Sequence, residues 1–113
     1  MTTGISIFNL IDSVQEGINE MKEILIEDDH VKRARAEGAV CIKGKVPGRA
    51  AFPDQLILKP DGRFYWIEFK SETGTLQDDQ VEMHLVLRTK GHSVYVCSDA
   101  RHSIVILNFE FSK

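Results

Sequence analysis

The chain has 113 residues, 42% of them hydrophobic and 27% charged, which is the size and make-up of one globular domain and excludes a fibre or a disordered tail. A net charge of −3 excludes a protein that coats nucleic acid through bulk basicity, while leaving room for a local basic site. No run approaches the roughly 18 apolar residues that would span a bilayer, and no basic segment leads into a continuous apolar run, so a cytoplasmic protein without membrane contact is expected.

The first element is a helix. Ile7, Ile11, Val14, Ile18, Met21 and Leu25 recur at alternating spacings of four and three, a heptad seam that needs a partner, either its own domain or a second copy. Gly17 weakens that helix by roughly 1 kcal/mol relative to Ala. The helical pattern resumes in "ILIEDDHVKRARAE" and stops at Gly38, and the sequence leaves open whether the helix breaks between residues 22 and 27.

"AVCIKGKV" then reads as a strand near residues 39–43, followed by the exposed basic loop "PGRAAF". Residues 32–49 carry Lys32, Arg33, Arg35, Lys43, Lys45 and Arg49 against the single acid Glu37. Lys43, Lys45 and Arg49 are the candidates for phosphate contact, because they lead into the most unusual part of the chain.

That part is "FPDQLILKPDGRFYWIEFKSE", a hairpin closed by Pro60-Asp61-Gly62, whose composition suits a type I turn followed by a left-handed glycine. With Lys59 and Arg63 closing the loop, Asp54 lies opposite Glu68, and alternation puts Lys70 on the same face. Tyr65, Ile67 and Phe69 take the other face, while Trp66 joins the charged one and could stack on a base or pack on a helix. Two opposed carboxylates repel, and a divalent cation reverses that penalty. An all-oxygen shell suits Mg²⁺ or Mn²⁺, which could polarise a phosphoryl oxygen and activate water. Lys70 could then orient or deprotonate the water, or stabilise developing charge.

After the hairpin a helix is expected from about 76 to 90 with Leu76, Val81, Leu85 and Leu87 inward, then a buried strand in "HSVYVCS" and a last strand in "SIVILNFEF" at 103–111. Cys41 and Cys97 lie in strand-like runs without metal-type spacing and are read as buried free thiols. His30, His84, His92 and His102 have no zinc-like spacing and are read as surface or satisfied polar residues.

"FPD" followed by "IEFK" resembles the PD-(D/E)xK signature of restriction-endonuclease-like nucleases. More narrowly, "IEDDHVKRARAEGA", "KGKVPGRAAFPDQLILKPDGRFYWIEFKSETGTLQDDQ" and "GHSVYVCSDA" resemble, in order, the virus-type replication-repair nuclease (VRR-NUC) family over roughly residues 24–107. The resemblance implies an α/β fold with a restriction-endonuclease-like core, a central mixed sheet flanked by helices in the order αβββαβ, and an extra N-terminal helix. Residues 1–22 would be a helical extension and possible dimerisation element, and 23–113 the nuclease domain.

The resemblance also implies catalytic roles for Glu27, Asp54, Glu68, Lys70 and Gln80, with Asp54, Glu68, Glu27 and the backbone of Phe69 around the metal. Asp28 or Asp29 could replace Glu27 if the helix phase differs. The family's usual Gly-Val-Pro-Asp is here Ala51-Phe52-Pro53-Asp54, so the turn before the aspartate differs. The implied activity is a Mg²⁺- or Mn²⁺-dependent DNA endonuclease. Stand-alone members resemble virus-encoded homodimeric resolvases of branched, four-way-junction DNA, which would place the protein in a host cytoplasm. The alternative is a nucleic-acid-binding module with the nuclease fold but little activity.

Overall fold

The computed structural model describes residues 7–44 and 51–113, apart from the Phe8 side chain. The elements are α1 (Ile7–Ala36), β1 (Val40–Lys43), β2 (Gln55–Leu58), β3 (Phe64–Phe69), α2 (Asp78–Thr89), β4 (Ser93–Cys97) and α3 (Ala100–Phe111). The four strands form one mixed sheet in the order β1-β2-β3-β4. The first three pair antiparallel, and α2 carries the chain across to β4, which runs parallel to β3.

The hairpin has the register its turn dictates. Leu58 pairs with Phe64 and Gln55 with Ile67, the Lys59 N–H donates to the Arg63 carbonyl, and Gly62 sits at φ +87°. Only a residue without a side chain adopts that left-handed geometry at little cost, so the loop length is held and the pairing cannot slip.

Alternation along β3 divides the molecule. Tyr65, Ile67 and Phe69 are buried on one face, where they join Ala34 of α1 and Ile106 and Leu107 of α3 in the apolar core. Within that core His30 is fully buried, its Nδ1 2.8 Å from Ser103 Oγ and its Nε2 2.7 Å from the Tyr65 hydroxyl. Burial lowers the His30 pKa to about 4, against smaller opposing effects of Ser103 and Asp29. Trp66, Glu68 and Lys70 point to the opposite face, on which α2 lies.

Helix α1 runs unbroken for 30 residues, about 45 Å. Its buried row begins at Ile26 and continues through His30 and Ala34, at helical spacing. The heptad seam before it is uncovered: Ile7, Ile11, Val14, Ile18, Met21 and Leu25 are all exposed. Its own domain does not bury that stripe.

Two expectations are corrected. Residues 103–111 are not a strand but most of α3, whose N-cap Asp99 accepts a hydrogen bond from the His102 N–H at 2.6 Å. Ser103, Ile106, Leu107 and Glu110 are buried at helical spacing, while Val105 and Phe109 are exposed. A short β-branched run satisfies either period, and the cap together with packing on the sheet decides. In α2 the inward residues are Gln80, His84 and Leu87, whereas Val81 and Leu85 are exposed. The helix turns a polar row to the sheet because that face holds acids.

The cysteine reading agrees with the packing: Cys97 is buried and Cys41 half-buried, both as free thiols. Burial pushes the Cys97 thiol up to about 11.

Candidate active site

The site is built at the end of the hairpin opposite its turn. Asp54 immediately precedes β2, with its carbonyl accepting from the Gly44 N–H at 2.9 Å. Gly44 is required by close approach, since a Cβ there would lie 2.0 Å from the Pro53 carbonyl oxygen. A side chain at 44 would therefore push away the backbone that carries Asp54.

Asp54 and Glu68 are clasped to one another through the backbone. The Asp54 N–H donates to Glu68 Oε1 at 3.0 Å, and the Phe69 N–H donates to Asp54 Oδ2 at 2.8 Å. Both are buried, Glu68 to 1% exposure and Asp54 to 9%. Lys70, two residues along β3, brings its Nζ to 3.7 Å from Glu68 Oε2 and is half-buried. Its own N–H is tied to the Cys97 carbonyl at 2.9 Å, so β4 fixes where the ammonium departs from the sheet.

Gln80 enters from the first turn of α2. Its Nε2 donates to Glu68 Oε2 at 2.7 Å while its Oε1 accepts from the Gln77 N–H at 2.9 Å. The helix start thus orients the amide and the amide orients the glutamate. Asp54, Glu68, Lys70 and Gln80 are therefore brought together.

Glu27 is placed beside this group rather than bonded within it. It is half-buried on α1 and accepts from Gln55 Nε2 at 2.7 Å, next in the chain to Asp54. One turn earlier Glu23 accepts from the Ser71 N–H at 2.6 Å, so two α1 acids hold the segments flanking the site. Asp29 instead pairs with Arg33 on the surface and Asp28 is exposed. Lys43 is exposed at the end of β1, paired with Gln55. Lys45 and Arg49 lie outside the described residues.

Trp66 shares the charged face but has partners of its own. Its ring centroid lies 5.9 Å from that of Phe52, and its Nε1 donates to His92 Nδ1 at 3.1 Å. It serves the packing of the hairpin, against a loop ring rather than a helix.

His84 corrects the reading of it as a surface or satisfied polar residue: among the described residues it is neither. It follows Gln80 by one helical turn, is 1% exposed, and neither ring nitrogen has a hydrogen-bond partner among the described residues. Burial lowers its pKa, Arg88 and Lys70 lower it further, and Asp54 opposes them. The available signal was its spacing of four from Gln80 on the helix that closes the site.

Among the described residues no group of three His, Cys, Asp or Glu side chains is spaced to hold a metal ion. What stands ready is a pair of buried carboxylates with oxygen donors alone. That donor set fits Mg²⁺ or Mn²⁺, ions that commonly take one or two carboxylates and complete their shell with water and phosphate oxygens.

Known proteins resemble this chain in sequence and fold. The profile of the VRR-NUC domain matches residues 13–100. A protein of Acyrthosiphon pisum secondary endosymbiont phage 1, provisionally named nuclease p44, is 32% identical over 76 residues, 67% of this chain and 82% of that protein. A solved VRR-NUC domain superposes with a TM-score of 0.71 at 25% identity, covering 77% of this chain and 95% of the other. With the matched segment carrying α2, the hairpin and both buried acids, the chain belongs to the VRR-NUC family of nucleases.

Proposed function

We propose that the protein is a Mg²⁺- or Mn²⁺-dependent endonuclease that hydrolyses phosphodiester bonds in DNA, with branched DNA such as four-way junctions as its preferred substrate. The observation that carries this reading is the buried pair Asp54 and Glu68 with the Lys70 ammonium 3.7 Å from Glu68 Oε2. Burying two acids side by side is costly for folding alone, and a hard cation offsets that cost.

Asp54, Glu68 and the carbonyl of Phe69 would hold the ion, with Glu27 supporting from α1. Bound there, the cation would polarise a phosphoryl oxygen and make water a better nucleophile. Gln80 keeps the Glu68 carboxylate turned toward the site, and the Phe69 N–H does the same for Asp54. Lys70 places a positive charge where the attacking water and the developing phosphorane would lie, as base or as charge stabiliser. Lys43, with Lys45 and Arg49, would contact the DNA backbone.

Residues 1–22 are read as a dimerisation element on a nuclease domain of residues 23–113. The exposed seam on α1 supports that reading, because an apolar stripe of this length left in water favours association. A homodimer would present two sites to a two-fold symmetric junction. Action on phage or host DNA would place it in a host cytoplasm; among the described residues no helix is long and apolar enough to cross a membrane.

The test is cleavage of linear duplex, flap and four-way-junction DNA with Mg²⁺, with Mn²⁺ and with chelator, beside Asp54→Ala and Lys70→Ala. Metal-dependent cleavage lost in both variants, with DNA binding kept, is expected. Cleavage that survives both removes the site, and binding without cleavage of any substrate favours a nucleic-acid-binding module instead. Light scattering of a chain lacking residues 1–22 tests the dimer, which an unchanged mass would refute as seam-mediated.

A further inference from the structure

Among the described residues, His84 is a buried side chain of the site with neither polar atom hydrogen-bonded. Its ring nitrogens are both orphaned among the described residues, although it is only 1% exposed. An imidazole always carries at least one N–H donor, and in its uncharged form it also carries one acceptor, so leaving both unsatisfied is unfavourable. A leucine would fill the position without that penalty. Buried polar groups that the fold leaves unanswered concentrate where a ligand answers them.

The neighbours of the ring place it in the fold. It lies one turn beyond Gln80 on the buried row of α2, and Gln80 is bonded to Glu68. Lys70, just past the end of β3, and Asp54, just before β2, both act electrostatically on it, which places it near the charged end of the hairpin. Arg88, one turn further, donates to the Val94 carbonyl at 2.9 Å and ties that end of the helix to β4. The ring is thus held against the sheet.

We propose that His84 is a further catalytic-site residue of this nuclease, whose imidazole hydrogen-bonds to an oxygen carried by the cation at Asp54 and Glu68. That oxygen belongs to a water or to a phosphate of the DNA. The inference rests on the function proposed above and adds a contact on the α2 side. Gln80 then orients a carboxylate, while His84 one turn later addresses the ligand itself.

Two measurements test it. In the wild-type protein, imidazole ¹⁵N shifts are followed as Mg²⁺ alone is added, and then as Ca²⁺ with duplex DNA is added. A shift of a His84 ring nitrogen by several ppm in either arm is expected, absent in Asp54→Asn. A shift with Mg²⁺ alone identifies the oxygen as water, and one that appears only with DNA identifies it as phosphate. His84 nitrogens unmoved in both arms overturn the proposal.

The second measurement compares His84→Leu and His84→Gln with wild type. Leucine should raise the thermal midpoint, since it removes two orphaned atoms, yet lower kcat at least 100-fold. Glutamine, which can still donate, should recover at least tenfold of that loss. Wild-type cleavage by His84→Leu overturns the proposal, whether or not its midpoint rises. If wild type itself cleaves no DNA, the nuclease reading fails, and the ring-nitrogen shifts still decide whether His84 meets a cation-borne oxygen.

Discussion

The two faces of the sheet each bury a histidine, and they treat it differently. On the core face His30 touches Ser103 and Tyr65, so both ring nitrogens are answered within the fold. On the face covered by α2, His84 is equally enclosed and neither nitrogen is answered by the described residues. The same contrast extends to the acids. Glu110, on α3, meets the Tyr95 hydroxyl, Lys113 Nζ at 3.1 Å and Lys59 Nζ at 3.4 Å. Burial pushes that carboxyl up, but Tyr95 and the two ammoniums outweigh it and leave its pKa below the usual value. Asp54 and Glu68 are instead positioned by backbone N–H groups and one amide, with Lys70 alongside. A polar group answered within the fold contributes to stability, whereas a buried imidazole with both nitrogens unanswered is kept at a cost to stability for what it binds.

The largest effect that would sharpen this comparison is Asp54→Asn. Cleavage should fall by about 10³-fold or more while the unfolding midpoint holds or rises, because the site face holds acids at a cost to stability. A matching drop in stability would mean that the two faces do not differ. Gly44→Ala comes next: the backbone under Asp54 must shift, and cleavage should fall roughly 10- to 100-fold with secondary structure intact by circular dichroism. Full activity would show that the close approach at Pro53 is not what positions the aspartate.

The core face is probed through stability. His30→Leu leaves the Ser103 and Tyr65 hydroxyls without their partner and should cost roughly 2–4 kcal/mol in urea unfolding, the reverse of the outcome expected at His84. The same residue predicts a pH dependence. Its pKa is about 4 in the fold and 6.5 for an unperturbed imidazole, so between those values the unfolded chain binds more protons. The stabilising contribution is full above about pH 6.5 and is lost as pH falls toward 4, amounting to about 3 kcal/mol. Urea titrations across that window should show the slope in wild type and a shallower one in His30→Leu, since Glu110, depressed in the same sense, acts mostly below it. Equal slopes would remove His30 as the source. The smallest effect serves as a control away from both faces. A Cβ at Gly17 of α1 meets open space, so Gly17→Ala should add at most about 1 kcal/mol without changing cleavage.

Most of the hairpin was legible because its information is local. A three-residue loop sets which residues oppose one another, and a period of two sets which face they share, so Asp54, Glu68 and Lys70 could be gathered without any tertiary knowledge. The family motif added Gln80, which the fold brings to Glu68. It also pointed to Glu27, which the fold sets against Gln55 instead. Helix α3 was hidden because Ile104, Val105 and Ile106 suit a strand as well as a helix, although Asp99 ahead of them is a capping residue. His84 was hidden for a different reason. The pattern of apolar residues pointed Val81 and Leu85 inward, and a functional face reverses that pattern by turning Gln80 and His84 to the sheet.

By itself, then, the sequence determined the strand register, the turn and the identity of the acidic cluster, since each follows from backbone sterics and spacing within a few residues. Tertiary structure alone decided that the seam of α1 stays uncovered, that residues 103–111 wind into a helix, that Gly44 must lack a side chain, and that His84 is buried beside Gln80 on the inner row of α2. Those outcomes depend on which surfaces meet, and contact between separate segments of the chain is settled by packing and solvent exclusion rather than by local preference.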